Sequence, residues 1–502
     1  MKYYMTGILV VVAAFSFAAC SSAIDYENYL INDVFPGQEE GETPGGDDTE
    51  KHPVKVDARK NSQSSWTTYN AYTSDRITGF SPSEDPQTDE YGGWKIKADS
   101  EGFFRVRKIN GRWWMIDPLG NLFLSKAVAV FSPGSSDRQK ENLMATFGSY
   151  KDWAASESQY LKDLGFNSVG AWSQTYISNR NNIPEEVRLP YTVIVSPMGS
   201  YNGALKASGK ETEAYSKAGW EGYPYDFAFV FDEEFDQYVE KTISTISQYA
   251  NDKYCIGYFI DNEIPWKDYA LERCLTKWPA NHINHQQAQK WLDQRLGKSG
   301  STIADASDSD KKAFIAYCLE TYLQKVTKAL RKYDPNHLFL GCRFNQWNYE
   351  LKNEEIFRVA GKYMDIISIN HYQKWEPDAE AMRNWEAWSG KPFFVTEFYT
   401  KGEDSGMGNT TGAGWLVKTQ NDRGLFYENF VNQLIKSGVC VGWHWFTYMD
   451  NDPTNKGADS SNIDSNKGIV TWDFKRYTPL TDHMESMNKC TYNLVKFYDS
   501  QK

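Results

Sequence analysis

Two glutamates each stand at the end of an apolar, strand-like stretch of the chain. Glu263 ends C-I-G-Y-F-I-D-N-E, and Pro265 just beyond it cannot extend a strand. Glu397 falls near the end of P-F-F-V-T-E-F-Y. The carboxyl ends of parallel strands meet at one rim of an α/β sheet, where such proteins place reactive groups. We therefore predict that the two side chains, 134 positions apart (397 minus 263), face each other.

Two carboxyl groups across a cleft suit the hydrolysis of a glycosidic bond. One protonates the leaving oxygen, while the other attacks the anomeric carbon at about 5–5.5 Å separation or activates a water at a wider one. The acid needs a raised pKa, and a nucleophile must stay ionised. Either glutamate alone could be a solvated surface carboxylate, but their matching positions favour a catalytic pair, Glu263 and Glu397.

Eight strand-like runs alternate with amphipathic helical segments and must position this pair. Strands that alternate with helices imply right-handed parallel crossovers, so we predict a (β/α)8 TIM barrel. An open doubly wound sheet is the alternative, and it is weakened because no G-x-G-x-x-G follows the first run. The predicted strands are 121–130, 166–172, 189–196, 255–262, 337–344, 365–372, 392–398 and 440–448; the clearest helical segments are 152–164, 232–249, 311–333 and 421–436.

The part of the chain before the barrel has three different compositions. Residues 1–20 combine a cationic start, an apolar stretch and F-A-A before Cys20, which is typical of a lipoprotein signal peptide. Residues 21–93 are predicted to be a flexible acidic tether and N-terminal extension, because P-G-Q-E-E-G-E-T-P-G-G-D-D lacks apolar periodicity. The later part of this segment contains Trp66, Tyr69, Tyr72 and Phe80, which could pack on the main domain. Asn110-Gly111 between two strand-like runs predicts a β-hairpin. Residues 94–502 would then be the barrel with that hairpin.

The Cys20 motif resembles the bacterial lipobox, in which the cysteine becomes the lipidated N-terminus. We therefore expect secretion across the inner membrane and a lipid anchor in the bacterial outer membrane, on its periplasmic or cell-surface face. Ordinary signal cleavage at another position is the alternative.

Composition excludes some partners and favours others. A formal net charge of -12 argues against nucleic acid as the main partner. The 18 Trp, 32 Tyr and 27 Phe offer flat faces suited to sugar rings as well as to a protein core. The cysteines and the 7 histidines lack metal-ligand spacing, so we expect no metal, no cofactor and no required disulfide.

Several motifs resemble known glycosidases. Asn262-Glu263 and Thr396-Glu397-Phe398 are similar to the strand-4 and strand-7 motifs of the clan A retaining glycoside hydrolases. Within that clan, 102–477 resembles family 50, the β-agarases. The matching stretches are G-F-F-R-V-R-K-I-N-G-R-W-W-M-I-D-P-L-G-N, I-G-Y-F-I-D-N-E, V-T-E-F, V-G-W-H-W-F-T-Y-M-D and N-K-G-I-V. The resemblance implies that Glu263 is the acid/base, that Glu397 is the nucleophile, and that Asn262 contacts the 2-hydroxyl of the sugar.

Further candidates lie at the predicted strand ends. His371 or Tyr372 could hydrogen-bond Glu397, with a core histidine as the alternative. The resemblance implies that Trp445 stacks on a sugar, and core packing is the alternative. Asn466 lies in the long polar loop 450–468, which could line a subsite. Trp172 and Arg343 are weaker candidates for substrate contact. Asp261 could tune Glu263 or hold its loop.

Together these features predict a lipid-anchored retaining glycoside hydrolase that cleaves a β-linked glycan, which we expect to be an agarose-like galactan. A clan A β-galactosidase or β-mannosidase is one alternative. A non-catalytic surface glycan-binding protein is another, and the presence of both glutamates disfavours it. A metal hydrolase is a third, weak one.

Overall fold

The computed structural model describes residues 50–209, 215–218, 221–345 and 349–502. These ranges do not include the predicted signal peptide, Cys20 or the acidic segment up to residue 49. The strands are β1 (Val54–Arg59), β2 (Thr67–Ala71), β3 (Trp94–Lys97), β4 (Arg105–Ile109), β5 (Arg112–Ile116), β6 (Asn121–Phe123), β7 (Ser125–Ala129), β8 (Ser168–Val169), β9 (Tyr191–Val195), β10 (Tyr215–Ala218), β11 (Glu221–Pro224), β12 (Cys255–Ile260), β13 (Leu338–Phe339), β14 (Phe344–Asn345), β15 (Ile367–Asn370), β16 (Phe393–Phe398), β17 (Thr400–Gly402), β18 (Trp415–Val417) and β19 (Cys440–Phe446).

The α-helices of the same ranges are α1 (Asp137–Phe147), α2 (Tyr150–Asp163), α3 (Gln174–Asn179), α4 (Pro197–Ser208), α5 (Glu234–Ile243), α6 (Ala270–Lys277), α7 (Ile283–Leu296), α8 (Asp308–Tyr333), α9 (Glu354–Tyr363), α10 (Ala379–Ser389), α11 (Gln420–Ser437), α12 (Thr478–Lys489) and α13 (Thr491–Asp499). The amphipathic pattern of 311–333 lies within α8, whose buried face includes Phe314, Leu323 and Leu330. None of the helices in the described ranges has the length and apolar character needed to span a membrane.

A curled, nine-stranded parallel sheet forms the centre of this mixed α/β fold. Its order in the described residues is β13-β12-β9-β8-β7-β19-β16-β15-β14. Each pair of neighbours is parallel. Each of the eight predicted runs supplies a strand to this sheet, although the run 337–344 is divided into β13 and β14. All nine carboxyl ends therefore lie at one edge.

Both outermost strands of that sheet belong to the single stretch 338–345. The Leu340 N–H donates to the Tyr258 carbonyl (2.8 Å), whereas the Asp365 N–H donates to the Phe339 carbonyl (3.0 Å). Gly341 interrupts the stretch at φ 91°, and a Cβ there would lie 2.7 Å from Ser368 Oγ. A glycine is thus required where the chain passes between its two neighbours.

A second, antiparallel sheet in the order β3-β6-β5-β4 precedes the parallel one. In it β4 and β5 pair so that Ile109 lies opposite Arg112. The two residues between them, Asn110 and Gly111, have φ of 48° and 81°. Positive φ at both central positions is the geometry of a two-residue hairpin turn.

Part of the predicted N-terminal extension, residues 54–80, packs on distant segments of the described chain. Strand β1 pairs with both β2 and β18, in a sheet of order β17-β18-β1-β2. Tyr69 stacks on Trp375 at 5.4 Å between ring centroids, and Phe80 packs on Phe497 at 5.3 Å. These aromatic residues find partners far along the chain, so this segment is part of the folded unit.

Candidate active site

The turn after β12 presents the first glutamate. Asp261 and Glu263 have positive φ (59° and 50°), a conformation that is unfavourable for residues other than glycine. The Asp261 carboxylate accepts hydrogen bonds from the N–H groups of Met198 (3.1 Å) and Gly199 (2.9 Å) at the start of α4. It also accepts one from the Tyr322 hydroxyl (2.7 Å). Asp261 therefore anchors the turn that holds Glu263.

The side chain of Asn262 is oriented by two donors. Its Oδ1 accepts from Arg343 Nε (2.7 Å) and from Asn370 Nδ2 (3.2 Å). An oxygen must occupy that position, because both partners only donate there. The amide Nδ2 consequently points away from them, and Asn262 lines the central cavity.

Asn370, at the end of β15, contacts the first glutamate directly. Its Nδ2 also donates to Glu263 Oε1 (2.8 Å), and its Oδ1 accepts from Thr396 Oγ1 (2.8 Å). The amide is thus fixed by the neighbouring strand and holds one oxygen of Glu263. The side chain of Asn345 also hydrogen-bonds this carboxyl group, and Glu263 lines the cavity.

Glu397 is held on both oxygens by groups from two other strand ends. Arg343 donates from Nη2 to Oε1 and forms a buried ion pair with it. The Tyr372 hydroxyl donates to Oε2. Arg343 itself is fully buried, and its guanidinium lies over the Trp172 ring at 4.4 Å from the centroid. These contacts fix the orientation of Glu397.

The surroundings of the two glutamates differ in charge. Burial and repulsion by Glu397 raise the pKa of Glu263 to about 7, against the weaker opposing effects of Asn370 and Arg343. Burial also raises the pKa of Glu397, but there the Arg343 charge, the Tyr372 hydrogen bond and the Lys467 charge all oppose the rise. Positive charge therefore faces Glu397, whereas Glu263 faces the negative charge of Glu397.

A cavity of about 840 Å³ lies at this edge of the sheet. Five predicted residues line it: Asn262, Glu263, Glu397, Tyr372 and Trp172. The rest of the wall comes from several strand ends and the loops that follow them, and it includes Gln139, Asn345, Tyr399, Phe446, Asn462 and Lys467. An apolar ring beside carboxyl and amide groups is the lining expected for a sugar-sized ligand.

His371 was expected beside the Glu397 carboxylate, and the structure places it elsewhere. Its buried ring packs between Trp385 (6.1 Å) and Phe430 (5.2 Å). Only its backbone reaches Glu397, through an N–H donated to the carbonyl (2.7 Å). Successive strand residues point to opposite faces, so Asn370 and Tyr372 face the site while His371 packs against helices.

Trp445 was expected to stack on the sugar, and this expectation is also corrected. It is buried against Phe398 (5.5 Å) and Tyr427 (5.9 Å), between the sheet and α11. Its indole N–H donates to the Lys467 carbonyl (2.9 Å). Phe446, the next residue, lines the cavity instead.

Asn466 was expected to contact substrate, but both ends of its amide are occupied by protein. Nδ2 donates to Asp450 (2.9 Å), while Oδ1 accepts from the Gly402 N–H (3.1 Å) and Gln420 (2.9 Å). Asn466 is fully buried and braces the loop after β19. The adjacent Lys467 lies on the cavity wall.

Sequence reasoning missed Asn370 and Lys467 and undervalued Arg343. Asn370 lies in S-I-N-H-Y at the same predicted strand end as Tyr372, so its position was available as a signal. Arg343 lies within the glycine-interrupted run 337–344, and its backbone φ is 53°. That backbone conformation has no counterpart in the local sequence pattern.

The fold and site define an α/β protein with paired glutamates at the carboxyl edge of a curled parallel sheet. No family model matches the chain. It is 26% identical over 502 residues to Beta-agarase B of Vibrio sp. (strain JT0107), a match that covers 82% of this chain and 51% of the relative. It is also 23% identical over 509 residues to Beta-agarase A of the same organism, a match that covers 83% of this chain and 48% of that relative. The chain spans about half the length of these curated relatives.

Solved structures give the same result. BpGH50 superposes with a TM-score of 0.75 at 27% identity, covering 93% of this chain and 100% of that one. The agarase AgWH50C superposes with a TM-score of 0.66 at 21% identity, covering 82% of this chain and 67% of that one. This match shows a shared fold. The predicted resemblance is confirmed: the chain is similar to two curated β-agarases and to the solved structure BpGH50.

Proposed function

We propose that this protein is a retaining glycoside hydrolase that cleaves β-linked galactan of the agarose type. The observation that carries the proposal is the asymmetry of the glutamate pair in one cavity. Glu397 is held by Arg343 and Tyr372, whereas Glu263 has its pKa raised to about 7. A protonated acid beside an oriented carboxylate is the arrangement that a double displacement needs.

In the first step Glu397 attacks the anomeric carbon as the nucleophile. The new bond joins its carboxylate oxygen to that carbon, and the bond to the glycosidic oxygen breaks. Glu263 donates its proton to the departing oxygen, which leaves as a hydroxyl of the released sugar. Arg343 and Tyr372 orient the carboxylate for this attack, and they stabilise it again when it departs in the second step.

In the second step the carboxylate of Glu263 takes a proton from water. The water oxygen attacks the anomeric carbon on the face opposite Glu397, and Glu397 leaves as a carboxylate. Two inversions give net retention. Glu263 recovers its proton, so the pair returns to its starting state.

Binding groups follow from the same geometry. Asn262 Nδ2 is positioned to donate to the hydroxyl next to the anomeric carbon, a bond that strengthens in the transition state. Trp172 offers an aromatic ring in the cavity wall. We also infer that the sheet closes as a (β/α)8 barrel, which is supported by the hydrogen bonds from 338–345 to both neighbouring strands.

The substrate assignment is supported by the relatives, two of which are named β-agarases. A panel digestion tests it: agarose, neutral agaro-oligosaccharides, β-galactosides and β-mannosides are incubated with the wild type and with Glu397→Gln. We expect the wild type to release reducing sugar from agarose and agaro-oligosaccharides and not from the β-galactosides or β-mannosides. Glu397→Gln should release none from any of them. Binding without cleavage by the wild type would instead support a glycan-binding protein.

We further propose that Cys20 is lipidated and anchors the enzyme at the outer membrane. The motif that supports this lies outside the described residues. Metabolic labelling with a fatty acid should mark the wild type and not Cys20→Ala, which should appear in the soluble fraction with unchanged activity. An unlabelled wild type would contradict the anchor.

A further inference from the structure

Lys467 is a buried cation on the cavity wall that the two-glutamate mechanism does not use. Its side chain is 5% exposed and passes Phe446 with Nζ 5.5 Å from the ring centroid. Its backbone is clamped: the N–H donates to Asp450 Oδ1 (2.8 Å), and the carbonyl accepts from Thr447 N (3.0 Å) and Trp445 Nε1 (2.9 Å). These contacts fix the backbone of Lys467, so its side chain extends from a rigid part of the cavity wall.

The ammonium group has more donors than the protein satisfies. Within the described ranges, Asn462 Oδ1 is the acceptor recorded at hydrogen-bond distance from Nζ. The Asn462 amide is oriented by Asp459, whose carboxylate accepts from its Nδ2 (2.6 Å). A lysine ammonium carries three N–H donors, and buried charged donors require acceptors. Two donors therefore remain for whatever fills the cavity.

The charges around the Lys467 ammonium indicate which ligand atoms can accept its hydrogen bonds. The carboxylates of Asp450, Asp459 and Glu397 all act on Lys467, and burial lowers its pKa to about 8 in spite of them. Three nearby negative charges disfavour a sulfate or carboxylate substituent on the ligand. Hydroxyl and ether oxygens of an uncharged sugar accept hydrogen bonds without that repulsion.

We propose that Lys467 is a substrate-binding residue that donates hydrogen bonds to oxygens of an uncharged sugar ring bound beside Glu397. This inference rests on the proposed function and names one residue that decides which sugar occupies the subsite. Lys467 acts there together with Asn462, which holds its ammonium in place.

Protection from acetylation tests the contact directly. Glu397→Gln is treated at pH 8 with an N-hydroxysuccinimide ester of acetate, with and without saturating neutral agaro-oligosaccharide. Peptide mass spectrometry then gives the acetylated fraction at Lys467 and at Lys456, an exposed lysine of the same loop that serves as an internal control. We expect the oligosaccharide to reduce labelling of Lys467 at least tenfold and to leave Lys456 unchanged.

Kinetics of the wild type and two variants give a second, independent readout. Lys467→Met removes a charged hydrogen bond that is typically worth a factor of about 10 to 100, so KM should rise by that factor with kcat changed much less. Lys456→Met is the matched control and should leave both parameters as in the wild type.

The outcomes separate this inference from the proposed function. If calorimetry shows that Glu397→Gln binds the oligosaccharide while Lys467 labels fully, the inference is overturned and the function stands. Absence of labelling without glycan would also overturn it, because the ammonium would not be open to the cavity. Protection by a sulfated oligosaccharide alone would overturn the uncharged-sugar assignment. If the wild type cleaves no glycan and Glu397→Gln binds none, the proposed function itself fails.

Discussion

Replacing Arg343 by methionine should raise the pKa of Glu397 and thereby lower the activity. The Arg343 guanidinium is fully buried, pairs with Glu397 and bonds Asn262 Oδ1 at 2.7 Å. An opposite charge at this range is worth about 1–3 pKa units to a carboxyl group. Each unit changes the ratio of the two protonation states tenfold. We therefore expect kcat/KM to fall by about 10- to 1000-fold.

The assay is kcat/KM on a neutral agaro-oligosaccharide from pH 4 to 9, with the melting temperature measured in parallel. In Arg343→Met the acidic limb should move to higher pH, because Glu397 then holds its proton more tightly. Arg343→Lys should restore part of the activity, since it keeps the charge without the fork that reaches Asn262. Arg358→Met, which removes an exposed pair with Glu354, is the control. Activity within about threefold of the wild type, with an unmoved acidic limb, would refute the reasoning.

Three further predictions follow from individual contacts. In the wild type, kcat/KM should fall as pH rises through about 7, because Glu263 must carry a proton and its pKa lies there; a flat profile up to pH 9 would contradict the acid role. Asn370→Ala removes a donor to the Glu263 carboxylate, so that basic limb should move to higher pH and kcat should drop by about 10- to 100-fold, whereas an unmoved limb would argue against this contact. Deleting residues 21–49 should leave the melting temperature and the activity unchanged. Deleting residues 21–60 also removes β1, in which burial of Val56 alone contributes about 1.5–3 kcal/mol to the free energy of unfolding, so this deletion should lower the melting temperature. Equal melting temperatures for both deletions would show that β1 adds nothing.

The residues that the sequence predicted well carry a local signal. Glu263 and Glu397 each follow an apolar run and sit beside a break in it, so strand period and turn chemistry suffice to place them at the rim. Trp172 and Tyr372 share that position. The parallel direction of the strands in the central sheet followed from the alternation of strands and helices.

The positions of His371 and Trp445 follow strand alternation: Tyr372 faces the cavity, whereas the rings of His371 and Trp445 pack against helices. The sequence pattern predicts this alternation, but it does not identify which of the two faces lines the cavity. The pairing of β15 with β16 and of β16 with β19 also shifts register, and a shift of one residue exchanges the faces of a strand.

Contacts between distant segments were equally hidden. Arg343 and Asn370 acquire their roles from partners on β16. The fold of residues 54–71 depends on pairing with β18, more than 340 positions away (415 minus 71 is 344). The aromatic residues of this segment indicated that it could pack on the main domain, but the sequence did not identify β18 and Trp375 as the partners.

The most direct test of the double displacement uses Glu263→Ala with sodium azide on an activated aryl β-galactoside. The aryl group leaves without protonation, so Glu397 should still form the glycosyl-enzyme, and azide, which needs no general base, should attack it in place of water. We predict recovery of turnover and a β-glycosyl azide of retained configuration, identified by NMR. An α-glycosyl azide would instead make Glu263 the nucleophile, and loss of turnover without any azide product would contradict its role as acid/base.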